Sequence, residues 1–153
     1  MKVNLGSGNY PLDGYVNVDE YTQADVQGDL RTLDFSDLEE VRMSHLLEHI
    51  PWRETGLVLE RVRSWVNPAG RLVVEVPDMD AILARGTEHP LWFKYVYGDQ
   101  SHGGEYHLAG FTYDMLVAAL RNAGWWVVLT RKFESDHKGR EGMPCLKAEC
   151  IAV

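Results

Sequence analysis

The sequence predicts an α/β fold in which a mostly parallel sheet ends in an antiparallel hairpin. Short β-branched or apolar runs alternate with amphipathic helical segments along most of the 153 residues, a pattern typical of a parallel sheet. Two strand-like runs then follow each other with no helical segment between them, as antiparallel neighbours do. The length suits one domain with a sizeable core, so residues 1–153 are expected to form a single domain.

The first half of the chain contains three strand candidates and one helix candidate. Lys2–Leu5 and Tyr15–Asp19 are short apolar or β-branched runs that end at turn residues, and Val41–Ser44 is a weaker run of the same kind. Arg53–Val66 has apolar residues on one side and charged residues on the other, which predicts an amphipathic helix. Asn67–Gly70 has the composition of a turn.

The second half begins with Arg71–Val76, an apolar run that predicts a buried strand. Thr112 is a favourable N-cap for a helix that continues to Ala123. Trp125–Lys132 and Cys145–Val153 are the two final strands, and they supply the predicted antiparallel hairpin.

Composition and charge disfavour several classes of protein. The 15 Lys and Arg residues are outnumbered by 23 Asp and Glu residues, and the formal net charge of −8 argues against nucleic acid as a partner. No apolar run approaches the roughly 20 residues that span a bilayer, and the opening residues lack the apolar stretch of a signal peptide. Cys145 and Cys150 lie five residues apart on one strand, so they point to opposite faces and cannot bridge each other. A soluble, reduced, cytoplasmic protein without membrane contacts is therefore expected.

Residues that suit a nucleotide-like cofactor follow the ends of the predicted strands. Gly6-Ser7-Gly8 directly follows the first strand, and its glycines let a ligand approach backbone N–H groups closely. Asp19 ends the second strand, where a carboxylate accepts the two hydroxyls of an adenosine ribose. Asp29 follows Gly28 at a third strand end, where it suits the exocyclic amine of an adenine. These elements in order predict cofactor binding.

Six motifs stand in order along nearly the whole chain. They are Asn4-Leu5-Gly6-Ser7-Gly8, Gly14–Asp19, Gly28-Asp29-Leu30, Ser44–His49, Ala69–Asp78 and His107–Thr112. In this series the sequence resembles the class I S-adenosylmethionine-dependent methyltransferases, and among them a family of small members.

The resemblance implies a Rossmann-like sheet of seven strands, with S-adenosylmethionine over the carboxyl ends of the first strands. It assigns the methionine part of the cofactor to Gly6, Ser7 and Gly8, the ribose to Asp19, and the adenine to Asp29 and Leu30. It also places Ser44, His45 and Leu46 beside the cofactor at the end of the fourth strand.

Two features depart from the family's pattern. Asn4 stands where the family has an acid that helps to orient the methionine ammonium group. Only the six residues Asn9–Gly14 separate the glycine turn from the second strand, whereas a parallel crossover normally takes a dozen or more residues, usually with a helix. The first crossover helix is therefore predicted to be shortened or absent. A homo-oligomer, such as a dimer, is then an open alternative to a monomer.

The run His45-Leu46-Leu47-Glu48-His49 also matches the inverted zinc-protease pattern H-x-x-E-H. On a helix the two imidazoles would share one face and bind zinc, with Glu48 as the base. Pro51 follows closely and disfavours a long regular helix. The methyltransferase motif accounts for the same residues, so we expect no metal, a structural role for Glu48 and His49, and a pocket role for His45.

The segment 86–110 interrupts the alternation of strands and helices, and it is rich in aromatic residues and glycines. At the carboxyl edge of the sheet such an insertion suits a substrate lid. Its aromatic residues alternatively pack on the core or line a dimer interface. His102 and His107, with His45, are the candidate catalytic residues, because an imidazole titrates near neutral pH.

A methyltransferase that uses S-adenosylmethionine is therefore the predicted function. Ser44-His45-Leu46 replaces the Asp/Asn-Pro-Pro-aromatic motif of enzymes that methylate nucleobase amines, which favours a small-molecule or sugar acceptor; a protein acceptor stays open. A non-catalytic cofactor-binding or interaction domain is the main alternative, because no single catalytic residue is compelling. A nicotinamide oxidoreductase is disfavoured, because Pro11 stands where a third glycine would complete G-x-G-x-x-G.

Overall fold

The sheet contains seven strands in the residues that the computed structural model describes, 1–137 and 140–153. They are β1 (Lys2–Leu5), β2 (Val16–Asp19), β3 (Val26–Gln27), β4 (Leu38–Ser44), β5 (Val66–Pro77), β6 (Trp125–Glu134) and β7 (Pro144–Ala152). Their spatial order is β3-β2-β1-β4-β5-β7-β6. The first five strands are parallel, and β7 runs antiparallel to both β5 and β6. The predicted mostly parallel sheet with an antiparallel hairpin is confirmed.

Four α-helices accompany the sheet within the described ranges. They are α1 (Thr55–Trp65), α2 (Met79–Arg85), α3 (Trp92–Tyr97) and α4 (Tyr113–Asn122). Leu59 and Trp65 of α1 and Leu116 of α4 join the buried apolar side chains of the sheet in the main core. A second, smaller core joins α2 and α3 to the start of β7 through Ile82, Tyr95, Met143 and Cys145. Within 1–137 and 140–153, no helix combines the length and apolar character needed to cross a membrane.

The face of the sheet opposite α1 and α4 carries polar side chains near its middle. Glu75 of β5 accepts a hydrogen bond from Ser44 Oγ at 2.7 Å, and its carboxylate lies 3.2 Å from Lys147 Nζ and 3.4 Å from Arg42 Nη2. Burial opposes ionisation of Glu75, but Ser44 and the two cations lower its pKa below the usual value. This ionic cluster pairs the charges of a largely buried part of this face.

The first crossover has no helix in the described residues, which confirms the prediction. The side chain of Asn17 holds this short connection instead. Its Oδ1 accepts hydrogen bonds from Leu12 N at 2.8 Å and from Asn4 Nδ2 at 3.0 Å. Its Nδ2 lies 3.3 Å from the Leu12 carbonyl oxygen and 3.2 Å from Asp25 Oδ2. The hydrogen bonds of side-chain amides therefore fix this connection, whereas the backbone hydrogen bonds of a helix fix an ordinary crossover.

Most predicted elements are present, with differences at their boundaries. The Thr112 hydroxyl accepts a hydrogen bond from Met115 N at 3.3 Å, which confirms it as the N-cap of α4. The predicted turn at Asn67–Gly70 is wrong, because these residues lie inside β5. There the register with β4 shifts and Ala69 takes a φ of 62°, so the chain bulges without leaving the sheet. Both cysteines are free, as expected, and both are buried.

Candidate active site

The turn after β1 depends on two glycines. Gly6 has a φ of 67°, and a Cβ at this position would lie only 2.8 Å from Leu46 Cδ1. Gly8 has a φ of 50°, and no atom lies within 4 Å of where its Cβ would stand. The first glycine therefore lets the turn pack against the segment after β4, and the second leaves open space beside the backbone for a ligand.

The carboxylate of Asp19 organises this turn. Its Oδ2 accepts a hydrogen bond from Gly8 N at 2.8 Å, and its Oδ1 accepts from Tyr21 N at 2.9 Å and Thr22 N at 2.8 Å. Burial alone would raise the pKa of Asp19, but these backbone donors outweigh it and lower the pKa below the usual value. Three of about four acceptor positions on the carboxylate are thus in use, which leaves about one for a ribose hydroxyl.

Asp29 is held by Arg31, two residues further along the chain. Arg31 N and Nε each donate to Asp29 Oδ1 at 2.8 Å, and Arg31 Nη2 lies 2.8 Å from Asp29 Oδ2. The hydrogen bond from the guanidinium lowers the pKa of Asp29, so the carboxylate is ionised at neutral pH. Gly28 N donates to the Asp19 carbonyl oxygen at 3.0 Å, which ties this segment to the end of β2.

Both carboxylates and the glycine turn line one cavity of about 220 Å³ at the carboxyl ends of β1, β2 and β4, which we call the cleft. Seven of the nine predicted cofactor contacts line it, and these are Gly6, Gly8, Asp19, Asp29, Leu30, His45 and Leu46. The other two, Ser7 and Ser44, line an adjoining cavity of about 160 Å³ that shares Gly6, Gly8 and His45 with the cleft. The fold thus brings together residues that are spread over the first third of the sequence.

The cleft also contains residues that no sequence motif predicted. Among them are Tyr21, Thr22, Arg31, Ile50, Glu105 and Arg140. The position of Arg31 directly after the predicted motif Gly28-Asp29-Leu30 is a signal that could have identified it. Arg140 comes from the far end of the chain, and no sequence pattern marks it.

His45 lies at the edge of the cleft with a left-handed backbone conformation, at a φ of 53°. Its Nδ1 lies 3.0 Å from Glu48 Oε1, and its Nε2 lies 3.8 Å from Cys145 Sγ. Burial raises the pKa of the Cys145 thiol to about 12, so this neighbour is uncharged at neutral pH. Both ring nitrogens of His45 have partners, and action as a general base would require one of these contacts to break.

The other two predicted bases lie in different cavities. His102 is exposed and lines the cleft, where its Nδ1 accepts a hydrogen bond from Gly104 N at 3.2 Å. His107 lines a separate cavity, with its Nδ1 3.0 Å from the Tyr95 carbonyl oxygen. Burial lowers the pKa of His107, which favours a neutral imidazole. The three predicted bases are therefore not brought together, and His102 is the one with an exposed ring in the cleft.

The inverted zinc-protease arrangement is not formed. Leu47–His49 is a single 3₁₀ turn, and Ile50 already has extended backbone. His45 is hydrogen-bonded to Glu48, which the inverted zinc motif would use as the base. Burial opposes the charge on Glu48, but the hydrogen bond from His45 is foremost among the contacts that lower the pKa of Glu48 to about 2. Glu48 is thus a buried carboxylate that stays ionised.

Comparisons with known proteins find similarity in structure. No family model and no curated protein matches the sequence. A methyltransferase from Methanosarcina mazei that depends on S-adenosylmethionine superposes with a TM-score of 0.74 at 14% identity, over 99% of this chain and 92% of that one. A second such methyltransferase, from Archaeoglobus fulgidus, gives a TM-score of 0.67 at 14% identity, over 98% and 85% of the two chains. The chain has the fold of the class I methyltransferases.

Another solved structure with this methyltransferase fold has ligands bound. The 1,6-didemethyltoxoflavin-N1-methyltransferase from Burkholderia thailandensis gives a TM-score of 0.69 at 15% identity, over 99% of this chain and 70% of that one. It was crystallised with 1,6-didemethyltoxoflavin and S-adenosylhomocysteine. In the present chain, the cleft lies at the carboxyl ends of the first strands, the region to which the sequence resemblance assigned the cofactor.

Proposed function

We propose that the protein is a methyltransferase that uses S-adenosylmethionine to methylate a small-molecule or sugar acceptor. One observation carries the proposal: on a methyltransferase fold, a single cleft combines the Gly6–Gly8 turn with two ionised carboxylates at successive strand ends, Asp19 and Asp29. Ligands of open α/β sheets bind at this carboxyl edge.

The residues of the cleft fit the cofactor. The open space beside Gly8 admits a ligand against the backbone, and Asp19 retains acceptor capacity for a ribose hydroxyl. Asp29 would accept from the exocyclic amine of adenine in place of one of its contacts with Arg31. Leu30 and Leu46 offer apolar surface for the adenine ring. These side chains would hold the adenosyl group, and the glycine turn would hold the methionine part.

The bound cofactor supplies an electrophilic methyl group on a sulfonium. The protein then has to hold the acceptor in line with that methyl group, where positioning is worth about 7–11 kcal/mol. A general base is needed only where the acceptor is protonated at neutral pH, as a hydroxyl is. His102 is the candidate for that role, because its ring is exposed in the cleft, and its Nδ1 would have to release Gly104 N before it could take up a proton.

The acceptor is proposed to enter beneath the segment 86–110, which we regard as a lid. His102, Gly103, Gly104, Glu105 and Leu108 of this segment line the cleft opposite the glycine turn. Tyr21, in the loop after β2, packs against it, with its ring 5.4 Å from that of His102. The name of the Burkholderia neighbour describes a small-molecule acceptor, which supports an acceptor of that size here.

Calorimetry with S-adenosylmethionine and with S-adenosylhomocysteine tests the proposal. Wild type should bind both ligands, and Asp19→Ala should weaken both, because the glycine turn loses its anchor and the ribose loses an acceptor. Asp13→Ala is the matched control, since Asp13 is an exposed carboxylate outside the cleft. A folded wild-type protein that binds neither ligand would contradict the proposal.

A non-catalytic cofactor-binding domain is the alternative, and the burial of His45 with both ring nitrogens engaged favours it. Incubation of labelled cofactor with small-molecule and sugar fractions of cell extracts separates the two functions. Transfer of label to an acceptor, reduced in His102→Ala for a hydroxyl acceptor, supports the enzyme. Tight binding without transfer in every fraction supports the binding domain.

A further inference from the structure

The buried carboxylate of Glu48 has one oxygen that is engaged and one that is not. The side chain is buried, with only 1% of the residue exposed, and its Oε1 lies 3.0 Å from His45 Nδ1. In the residues that the structure describes, Oε2 has no hydrogen-bond partner. A buried carboxylate oxygen without a hydrogen-bond partner is unfavourable, so a group that binds it is expected beside it.

Two further imidazoles, besides that of His45, lie beside this carboxylate. His49 follows it in the 3₁₀ turn, and the ring of His107 lies 4.9 Å from that of His49 at an angle of 72°. One donor atom from each of Glu48, His49 and His107 lies within 4.8 Å of the other two. Since a zinc–ligand bond is about 2.1 Å long, small side-chain rotations would place all three around one ion.

Backbone hydrogen bonds hold these residues together although they are far apart in the chain. The carbonyl oxygen of Glu48 accepts from Leu108 N at 2.7 Å and from Ala109 N at 3.0 Å. His107 N donates to the Tyr97 carbonyl oxygen at 3.1 Å. These bonds fix the turn that carries Glu48 and His49 against the segment that carries His107.

The tautomers of both imidazoles suit metal binding. His49 Nδ1 lies 3.0 Å from the Tyr106 carbonyl oxygen, and His107 Nδ1 lies 3.0 Å from the Tyr95 carbonyl oxygen. A carbonyl oxygen only accepts, so each Nδ1 carries the proton and each Nε2 keeps its lone pair. Metal-binding histidines are typically oriented by such a hydrogen bond from the other ring nitrogen.

We propose that Glu48, His49 and His107 bind a divalent transition-metal ion, for which zinc is the best match. Two imidazoles and a carboxylate are a common zinc ligand set, whereas magnesium and calcium prefer oxygen ligands alone. This set differs from the inverted zinc-protease motif, because His45 supports Glu48 by a hydrogen bond and His107 takes its place as a ligand. The ion joins the turn after β4 to the base of the lid.

Calorimetry and metal analysis with zinc alone test this site without any cofactor. We expect one zinc ion per chain and no heat with magnesium. His107→Ala and Glu48→Gln should weaken zinc binding by more than about 100-fold, the upper end of the cost of losing a second-shell partner. Glu48→Gln keeps the size of the side chain and an acceptor for His45, so it reports on the charge if His107→Ala folds poorly. Zinc should also raise the Tm of wild type by about 5–10 °C when the free zinc concentration is about 100 times Kd.

His89→Ala is the matched control. His89 is a half-buried histidine of the same insertion, and its Nδ1 accepts a hydrogen bond from Leu91 N at 3.2 Å. This variant should bind zinc as wild type does. A wild-type protein that binds no zinc would overturn the proposal, and so would equal binding by wild type, His107→Ala and Glu48→Gln. Either result would leave the proposed cofactor site unaffected, because the titration uses the metal alone.

Discussion

Replacement of Asn17 by alanine should destabilise the whole protein, because this one side chain fixes the helix-free crossover. Its Oδ1 accepts from Leu12 N and Asn4 Nδ2, and its Nδ2 faces the Leu12 and Tyr15 carbonyl oxygens and Asp25 Oδ2. An amide can make about four hydrogen bonds, so the carbonyl and carboxylate oxygens share its two protons. Alanine removes all of these bonds and takes away a partner of the buried Asn4 amide.

The magnitude follows from the number of hydrogen bonds. Each is worth about 0.5–1.5 kcal/mol net, and four of them amount to about 2–6 kcal/mol. Water reaches part of this loop and replaces some of the lost bonds, so we expect a loss of about 2–4 kcal/mol. For a chain of this length that corresponds to a fall in Tm of about 5–15 °C. Urea unfolding followed by circular dichroism measures the free energy directly.

Asn122→Ala provides the comparison, since Asn122 is exposed at the end of α4. It should unfold within about 0.5 kcal/mol of wild type, as surface substitutions usually do. If Asn17→Ala also stays within that range, the crossover is not held by this amide, and the argument that side chains replace the missing helix is wrong.

Three further predictions concern the glycine turn and the lid. The folded-state pKa of Asp19 is lowered, so its contribution to stability is present above the unfolded pKa of about 3.9 and is lost as the pH falls through the folded value. The difference in urea stability between wild type and Asp19→Asn should therefore shrink with acidification below about pH 4; a constant difference would refute this. Gly6→Ala forces a Cβ to within 2.8 Å of Leu46 at a φ of 67°, and should cost about 1–3 kcal/mol and weaken cofactor binding in calorimetry. Gly98→Ala, with a φ of 83° and a Cβ only 1.9 Å from the Glu105 carbonyl oxygen, should speed hydrogen exchange in the lid while β1 and β4 stay protected.

The sequence predicted elements whose signal is periodic or tied to a specific residue. The helix that starts at Thr112 has its cap and its apolar face in the sequence itself, and the glycine turn has residues that its backbone requires. In contrast, β3 has only two residues, Val26 and Gln27. A strand of two residues is too short to show the alternation of apolar and polar residues that predicts a strand. The six-residue helix α3 is held by the burial of Tyr95, which depends on β7 and not on local propensity.

In the candidate site too, residues marked by local sequence were predicted, and residues placed by distant parts of the chain were not. Asp19 and Asp29 were predicted because the end of a strand and a preceding glycine mark them in the sequence. The burial of His45 between Glu48 and Cys145 was not predicted, because this burial depends on the pairing of β7 with β5. The role of Asn4 was also missed: it looked like the loss of a charge, and the structure uses its amide to hold Asn17.

The position of β7 between β5 and β6 has a consequence for how the chain is made. β5 ends at Pro77, and its partner on that side begins only at Pro144. Until the ribosome has delivered β7, the nascent chain exposes an open strand edge in the middle of what will become the sheet, and such an edge invites pairing with other chains. The strand pairs in the middle of the sheet therefore form only after β7 has been made.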